Sequence, residues 1–312
     1  MPEKMKIAAI ICELNPLHQG HQALFSHAKS RCEGLVCVLS GNYVQRGEPA
    51  VLDKWARTRL ALASGADLVL ELPLPWAMAG AERFAAGGVA LANGLGNVDT
   101  LFFGSEEGDA PRLGELAEAL LSPGFSRALR EEDTALPFAV RRQRAAARLV
   151  GADAAALLEK PNCILGVEYQ KALLAQGSSI KAEAFPRLGA GHDVPEEQGP
   201  ILSASQARGL LARGERTDGR LPAVTEEVWR QEAALGRAPA LLSRLEMAVL
   251  CKLRTVGPQD FAALPTSARA WSTGCTRPPA RPGAWRSCTG ASNRSGTPWP
   301  GPGGWCWRRS WV

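Results

Sequence analysis

At 312 residues, 46% hydrophobic and 21% charged, the chain has the make-up of a globular protein with room for one or two cores. It holds no run of about 18 apolar residues, and its apolar stretch Ile7–Cys12 is too short for a secretory signal core, so no membrane span is expected and a cytoplasmic setting is. The net charge of +5 does not mark a nucleic-acid footprint: no acidic residue follows Asp260, and removing the arginines of the last 47 residues leaves a body close to neutral.

In chain order, Lys6–Cys12 is a continuous β-rich apolar run, the pattern of a strand buried on both faces. A loop with Asn, Pro and Gly follows over 13–20, then a helical pattern from about His21 to Arg31. Strand patterns recur at Leu35–Ser40, Asp67–Leu72, Thr100–Ser105 and Ile180–Phe185. Helical patterns lie between them at Lys54–Ser64, Ala79–Asn93, 112–131, 138–158 and Lys160–Leu174, and after them at Ser203–Arg213 and Thr225–Arg254. Alternating strands and helices predict right-handed βαβ units, an α/β fold with a parallel sheet, and a ligand beyond the carboxyl ends of its strands. Those ends are Glu13–Gly20, Ser40-Gly41, Glu71 and Gly104–Glu106.

The stretch 266–312 reads differently. It holds six of the nine tryptophans, much proline and glycine, and neither helical nor strand period. Disordered tails are poor in tryptophan. Trp, Arg, Gly, Pro, Cys, Ser and Ala are what G+C-rich codons give in a wrong frame, so a frameshift near Pro265 is expected. The eight cysteines form no C-x-x-C pair, and neither a disulfide framework nor a zinc site is expected.

The chemistry concentrates after the first strand. In His18-x-Gly20-His21 a phosphate would meet backbone N–H groups and the positive end of a helix dipole, and Gly20 lets the backbone come close. Two imidazoles three residues apart can donate to phosphate oxygens that gain charge when the α-phosphate is attacked. Positioning and charge stabilisation suffice, with no covalent intermediate.

The run Glu13-Leu14-Asn15-Pro16-Leu17-His18-Gln19-Gly20-His21 resembles the nucleotide loop of the HIGH-type nucleotidyltransferase superfamily. Together with Ser40–Ala50, Lys54-Trp55-Ala56-Arg57, Phe102–Glu106 and Lys160–Gly166 it resembles the bacterial tRNA(Met) cytidine acetate ligase family over about residues 5–265. The resemblance implies a Rossmann-like nucleotidyltransferase domain over 1–220, the start of a truncated α-helical domain over 221–265, and the aberrant tail over 266–312. It implies that acetate attacks the α-phosphate of ATP to give acetyl-adenylate, and that the acetyl group then passes to the wobble cytidine of elongator tRNA(Met).

Carried over by position, ATP contacts are expected from Ile11, Cys12, Glu13, Leu14, Asn15, Pro16, Leu17, His18, Gln19, Gly20, His21, Gln22, Ala23 and Leu24, and from Gly104, Asn162, Arg187 and Leu188, with His18 and His21 catalytic. Ser205 and Arg208, at a Ser-rich helix start, are candidates for the β- and γ-phosphates. Arg46, Lys54 and Arg57, with Gln45, are candidates for acetate or the tRNA backbone. Glu71 and Glu106 are weaker candidates for Mg²⁺ or ribose. No protein metal cage is readable, and Mg²⁺ is expected to arrive with ATP. The basic helices implied after position 265 for gripping tRNA are replaced by the tail, so acetate activation is expected to survive better than transfer. Two other readings share the loop: an adenylyltransferase acting on a phosphorylated small metabolite, and a non-catalytic tRNA-binding protein that keeps a nucleotide pocket. The sequence leaves the oligomeric state open.

Overall fold

The computed structural model describes residues 5–45, 47–186, 202–217, 219–257 and 259–260. Five strands, β1 (Ile7–Cys12), β2 (Gly34–Ser40), β3 (Leu68–Leu72), β4 (Thr100–Ser105) and β5 (Lys181–Pro186), form one sheet in the order β3-β2-β1-β4-β5. Every pairing is parallel. The chain builds outward from β1 in one direction and then returns to β1's other side with β4. The switch point therefore falls between β1 and β4, where an open parallel sheet forms its ligand crevice. Pairing of β1 with β2 runs through Cys12–Leu39, whereas pairing of β1 with β4 runs only through Ile10–Phe102. The two central strands thus part at their carboxyl ends.

Among the described residues twelve α-helices accompany the sheet: α1 (Gln19–Lys29), α2 (Lys54–Ala63), α3 (Leu74–Ala77), α4 (Ala81–Gly94), α5 (Ala110–Leu121), α6 (Pro123–Glu131), α7 (Phe138–Val150), α8 (Ala152–Ala155), α9 (Pro161–Ala175), α10 (Ala204–Ala212), α11 (Ala223–Ala234) and α12 (Glu246–Thr255). Alternation along the strands splits the core into two layers. Ala9, Ile11, Val36, Val38, Leu101 and Phe103 face one side, with Phe84, Val89, Leu113 and Val167 of α4, α5 and α9. Ala8, Ile10, Leu35, Cys37, Leu39 and Phe102 face the other, with Phe25 of α1 and Leu60 of α2. Helix α4 crosses β1 so closely that a Cβ on Gly88 would lie 2.7 Å from Ile11.

Several helix boundaries differ from the sequence reading. The helix expected over 112–131 is two, because the Ser122 hydroxyl accepts from Phe125 N–H to cap α6 and Pro123 sits in its first turn. The helix expected over 138–158 ends at Gly151, whose φ of +83° lies outside the helical region. The helix expected over 225–254 ends at Ala234, followed by Gly236 at φ +70°. Val228 of α11, and Ala238 beyond it, join the same core layer as α1 and α2. Arg59 of α2 and Arg237 both pair with the buried Glu232 of α11. Helix α11 and the residues up to Ala238 therefore pack on the α1 and α2 side of the sheet. The expected aberrant tail lies outside the described residues.

Candidate active site

Leu14 is the one non-glycine with positive φ among the described residues, +47°, and it is fully buried. A left-handed turn at such a residue costs about 1–3 kcal/mol and persists only where surroundings enforce it. Here the surroundings are a set of long-range bonds, three to carbonyls of the loop and one to the Asn15 side chain. Arg57 Nη1 donates to Glu13 O at 2.6 Å, Val51 N to Asn15 Oδ1 at 2.9 Å, Arg208 Nη1 to Asn15 O at 2.8 Å and Thr225 Oγ1 to Leu17 O at 3.1 Å. Four separate parts of the chain hold the turn between β1 and α1.

The turn ends in an unusual helix cap. His18, 7% exposed, is the N-cap of α1, and its Nδ1 accepts from Gly20 N–H at 3.1 Å and His21 N–H at 3.4 Å. His21 Nδ1 in return accepts from His18 N–H at 3.3 Å. A pair of imidazoles thereby plays the part that Ser/Thr and Glu play in a capping box. Helix α1 consequently begins two residues earlier than its apolar pattern suggests. An acceptor nitrogen carries no proton, so each neutral ring bears its N–H at Nε2. The rings stack with centroids 3.8 Å apart and planes 26° apart, so the two imidazoles share one place at the helix start. One sequence expectation is corrected here. The amides of Gly20 and His21 are engaged by His18, so a phosphate at this helix start is offered imidazole donors in place of those two amides.

The elements that flank the crevice are bound to each other. Glu106, just past β4, accepts from Asn162 Nδ2 at 2.7 Å, Asn162 N at 3.1 Å and Cys163 N at 2.8 Å. Burial pushes the Glu106 carboxyl up, but these bonds outweigh it and hold the group below its ordinary value. Lys160 pairs with Glu107. The Gly104–Glu106 and Lys160–Asn162 motifs, far apart in sequence, are therefore one unit, and Glu106 serves as the cap of α9 rather than as a metal or ribose ligand. Tyr169 of α9 reaches Ile11 O at 3.5 Å, and burial drives its hydroxyl far above the usual range. Cys12 and Cys37 lie with sulfurs 3.4 Å apart. The hydrogen bond from Cys37, with burial, pushes the Cys12 thiol well up, so it is no nucleophile at neutral pH.

Arg57 corrects another expectation. It is 0% exposed, and its guanidinium donates to Glu13 O, Leu52 O and Gly41 O. Burial lowers its pKa to about 10, against the favourable field of Glu13, so it remains a cation at neutral pH. It ties the β1 and β2 loops together through their backbone carbonyls. Lys54 pairs with Glu71 at 2.6 Å and lies 5.5 Å from the ring of Trp55, which is 71% exposed. Glu71 is thereby engaged by a cation. Ser203, not Ser205, caps α10, with Gln206 completing the box, and Ser205 is exposed. Of that helix only Arg208 reaches the turn. Arg46, Arg187 and Leu188 lie outside the described residues. The sequence reading missed Thr225 and Tyr169, because nothing local announces a side chain that bonds a backbone carbonyl over 150 residues away.

Among the described residues no group of three His, Cys, Asp or Glu side chains could hold a metal, and no helix is long and apolar enough to cross a membrane. A family model described as HIGH Nucleotidyl Transferase matches residues 5–269. The tRNA(Met) cytidine acetate ligase of Syntrophotalea carbinolica is 44% identical over 231 residues, covering 72% of this chain and 55% of that protein. The ligase of the same name from Acetivibrio thermocellus is 36% identical over 270 residues, covering 82% and 65%. The chain thus spans between about half and two thirds of the length of these curated relatives. The crystal structure of Thermotoga maritima TmcAL bound with alpha-thio ATP superposes with a TM-score of 0.79 at 31% identity, covering 86% of this chain and 67% of that one.

Proposed function

Since this chain belongs to the HIGH nucleotidyl transferase family, we propose that it binds ATP over the His18–His21 turn, joins acetate to AMP, and passes the acetyl group to the wobble cytidine of elongator tRNA(Met). In the first step an acetate oxygen attacks the α-phosphorus, the bond to the β-phosphate oxygen breaks, and pyrophosphate leaves. Negative charge grows on the α-phosphate oxygens and on the leaving group. The paired Nε2–H donors of His18 and His21 meet that charge from a fixed position, so little reorganisation is needed during reaction. Arg208, held at Asn15 O, adds a positive charge beside the leaving pyrophosphate. In the second step the exocyclic amine of cytidine attacks the acetyl carbonyl carbon, the bond from that carbon to the adenylate oxygen breaks, AMP leaves with the oxygen, and the amine gives up a proton.

Gly104 and Asn162, joined through Glu106, form the opposite wall for the nucleotide. Arg187 and Leu188 are assigned to the same nucleotide by position. Mg²⁺ would come with ATP, where it would neutralise charge on the phosphates. Lys54 and the exposed Trp55 offer a cation and a base-stacking face for tRNA.

The observation that carries this reading is the two-histidine cap at the switch point of the sheet. The ligase names of relatives 36–44% identical support the choice of acetate and tRNA(Met). The direct test is mass spectrometry of elongator tRNA(Met) after incubation with the chain, ATP and acetate, alongside acetate-dependent exchange of pyrophosphate into ATP. Exchange with acetate and a mass gain on the wobble cytidine are expected. No acetate-dependent exchange, together with adenylylation of a phosphorylated small molecule, would replace this reading with that of a metabolic adenylyltransferase.

A further inference from the structure

Two buried polar groups beside the nucleotide turn have no hydrogen-bond partner: the Ser40 hydroxyl and the side-chain amide nitrogen of Gln45. Ser40 is fully buried at the end of β2. Cys12 is level with Leu39 in the β1–β2 register, so the next step sets Glu13 level with Ser40. The backbone N–H of Gln45 donates to Glu13 Oε1 at 2.7 Å. Both orphans therefore belong to the loop cluster at the carboxyl ends of β1 and β2, next to the turn that carries His18. Native proteins pair nearly all such groups, and those left over at a crevice point to a ligand.

The chemistry of the surroundings narrows that ligand. A serine hydroxyl and an amide NH₂ can both donate. The nearest buried cation, Arg57, bonds to the carbonyls of Glu13 and Gly41, the latter immediately after Ser40. The carboxylates nearby are engaged: Glu13 Oε1 accepts from Gln45 N–H, and Glu71 pairs with Lys54. A small anion with two acceptor oxygens meets these conditions. We propose that Ser40 and Gln45 receive the carboxylate of the acid substrate and hold it for attack on the α-phosphate. This rests on the proposed activation of acetate and adds the side chains that select it.

The test is ligand-observed NMR of acetate, propionate and butyrate with the full chain saturated by a non-hydrolysable ATP analogue and Mg²⁺, for the native sequence, Ser40→Ala and Gln45→Met. Acetate should bind the native chain best of the three. Each substitution should weaken it about tenfold or more, as expected when a hydrogen bond to a charged group is lost, with analogue affinity within about twofold. Each variant should also melt no lower than the native chain, because an unpaired buried donor has been replaced by an apolar group. A merely structural role would lower Tm instead. The proposal is overturned if the native chain takes no acetate, if the variants bind acetate as well as it does, or if acetate and nucleotide affinity fall together. A chain that binds acetate through these residues yet shows no acetate-dependent pyrophosphate exchange would sink the proposed function and leave this site standing.

Discussion

His18 commits Nδ1 to the start of α1, and the proposed chemistry falls to its other ring nitrogen, so the two roles can be separated by substitution. His21→Ala should slow adenylate formation by about 10²–10³-fold, the scale of a lost oxyanion donor. ATP affinity should fall far less, measured by initial rates against equilibrium binding; a parallel loss of both would contradict a role confined to the transition state. Gly20→Ala makes a subtler case. The added Cβ would come within 3.1–3.2 Å of the His18 ring, forcing it aside by a few tenths of an ångström. Alanine is otherwise the better helix former by about 0.5–1 kcal/mol. Turnover should therefore drop about tenfold while Tm holds or rises. Arg57→Met should do the reverse in emphasis. It strips partners from three loop carbonyls, each costing about 1–3 kcal/mol when left buried and unpaired, so thermal unfolding should shift down by many degrees before any kinetic question arises.

Among elements, the clearest coupling is the carboxylate of Glu106 on the first turn of α9. Its folded pKa lies below the ordinary 4.5. The stabilisation it gives is therefore complete above about pH 4.5 and is lost as pH falls through the lower folded value. Glu106→Gln should destabilise the native chain by about 0.5–2 kcal/mol at pH 7, with the gap between variant and native closing toward pH 3 in denaturant titrations. A gap that stays constant with pH would show that the carboxylate's charge is irrelevant. This coupling also shows where sequence reading succeeds and stops. The strands and the His18–His21 turn were legible because burial on both faces gives long apolar runs and because two histidines around a glycine are chemically distinctive. Helices 112–131, 138–158 and 225–254 were drawn too long because alanine- and leucine-rich composition outweighed Pro123, Gly151 and Gly236, residues that carry the breaks. The cap by His18 was missed because imidazole is not an expected N-cap. Arg57 was misread as a surface cation because its partners are backbone carbonyls brought near only by the fold.

For the molecule as a whole, the relevant fact is a body close to neutral before the arginines of the last 47 residues are counted. Neutralised phosphates set the salt dependence of RNA binding, and a body with little net positive charge makes few such contacts. If the proposed function holds, tRNA acetylation by this chain should therefore fall only weakly as salt rises, measured as initial rate against salt concentration; a steep fall would show a basic contact surface that the net charge does not reveal. The same architecture has a consequence in time. All five strands are complete at Pro186, but the turn that receives nucleotide is tied down by Arg208 and Thr225. At about 5–20 residues per second, translation finishes the sheet seconds before it supplies those two anchors. A nascent chain must therefore keep its central strands together without help from ATP, and nucleotide can rescue a weakened variant only after its synthesis has passed α11.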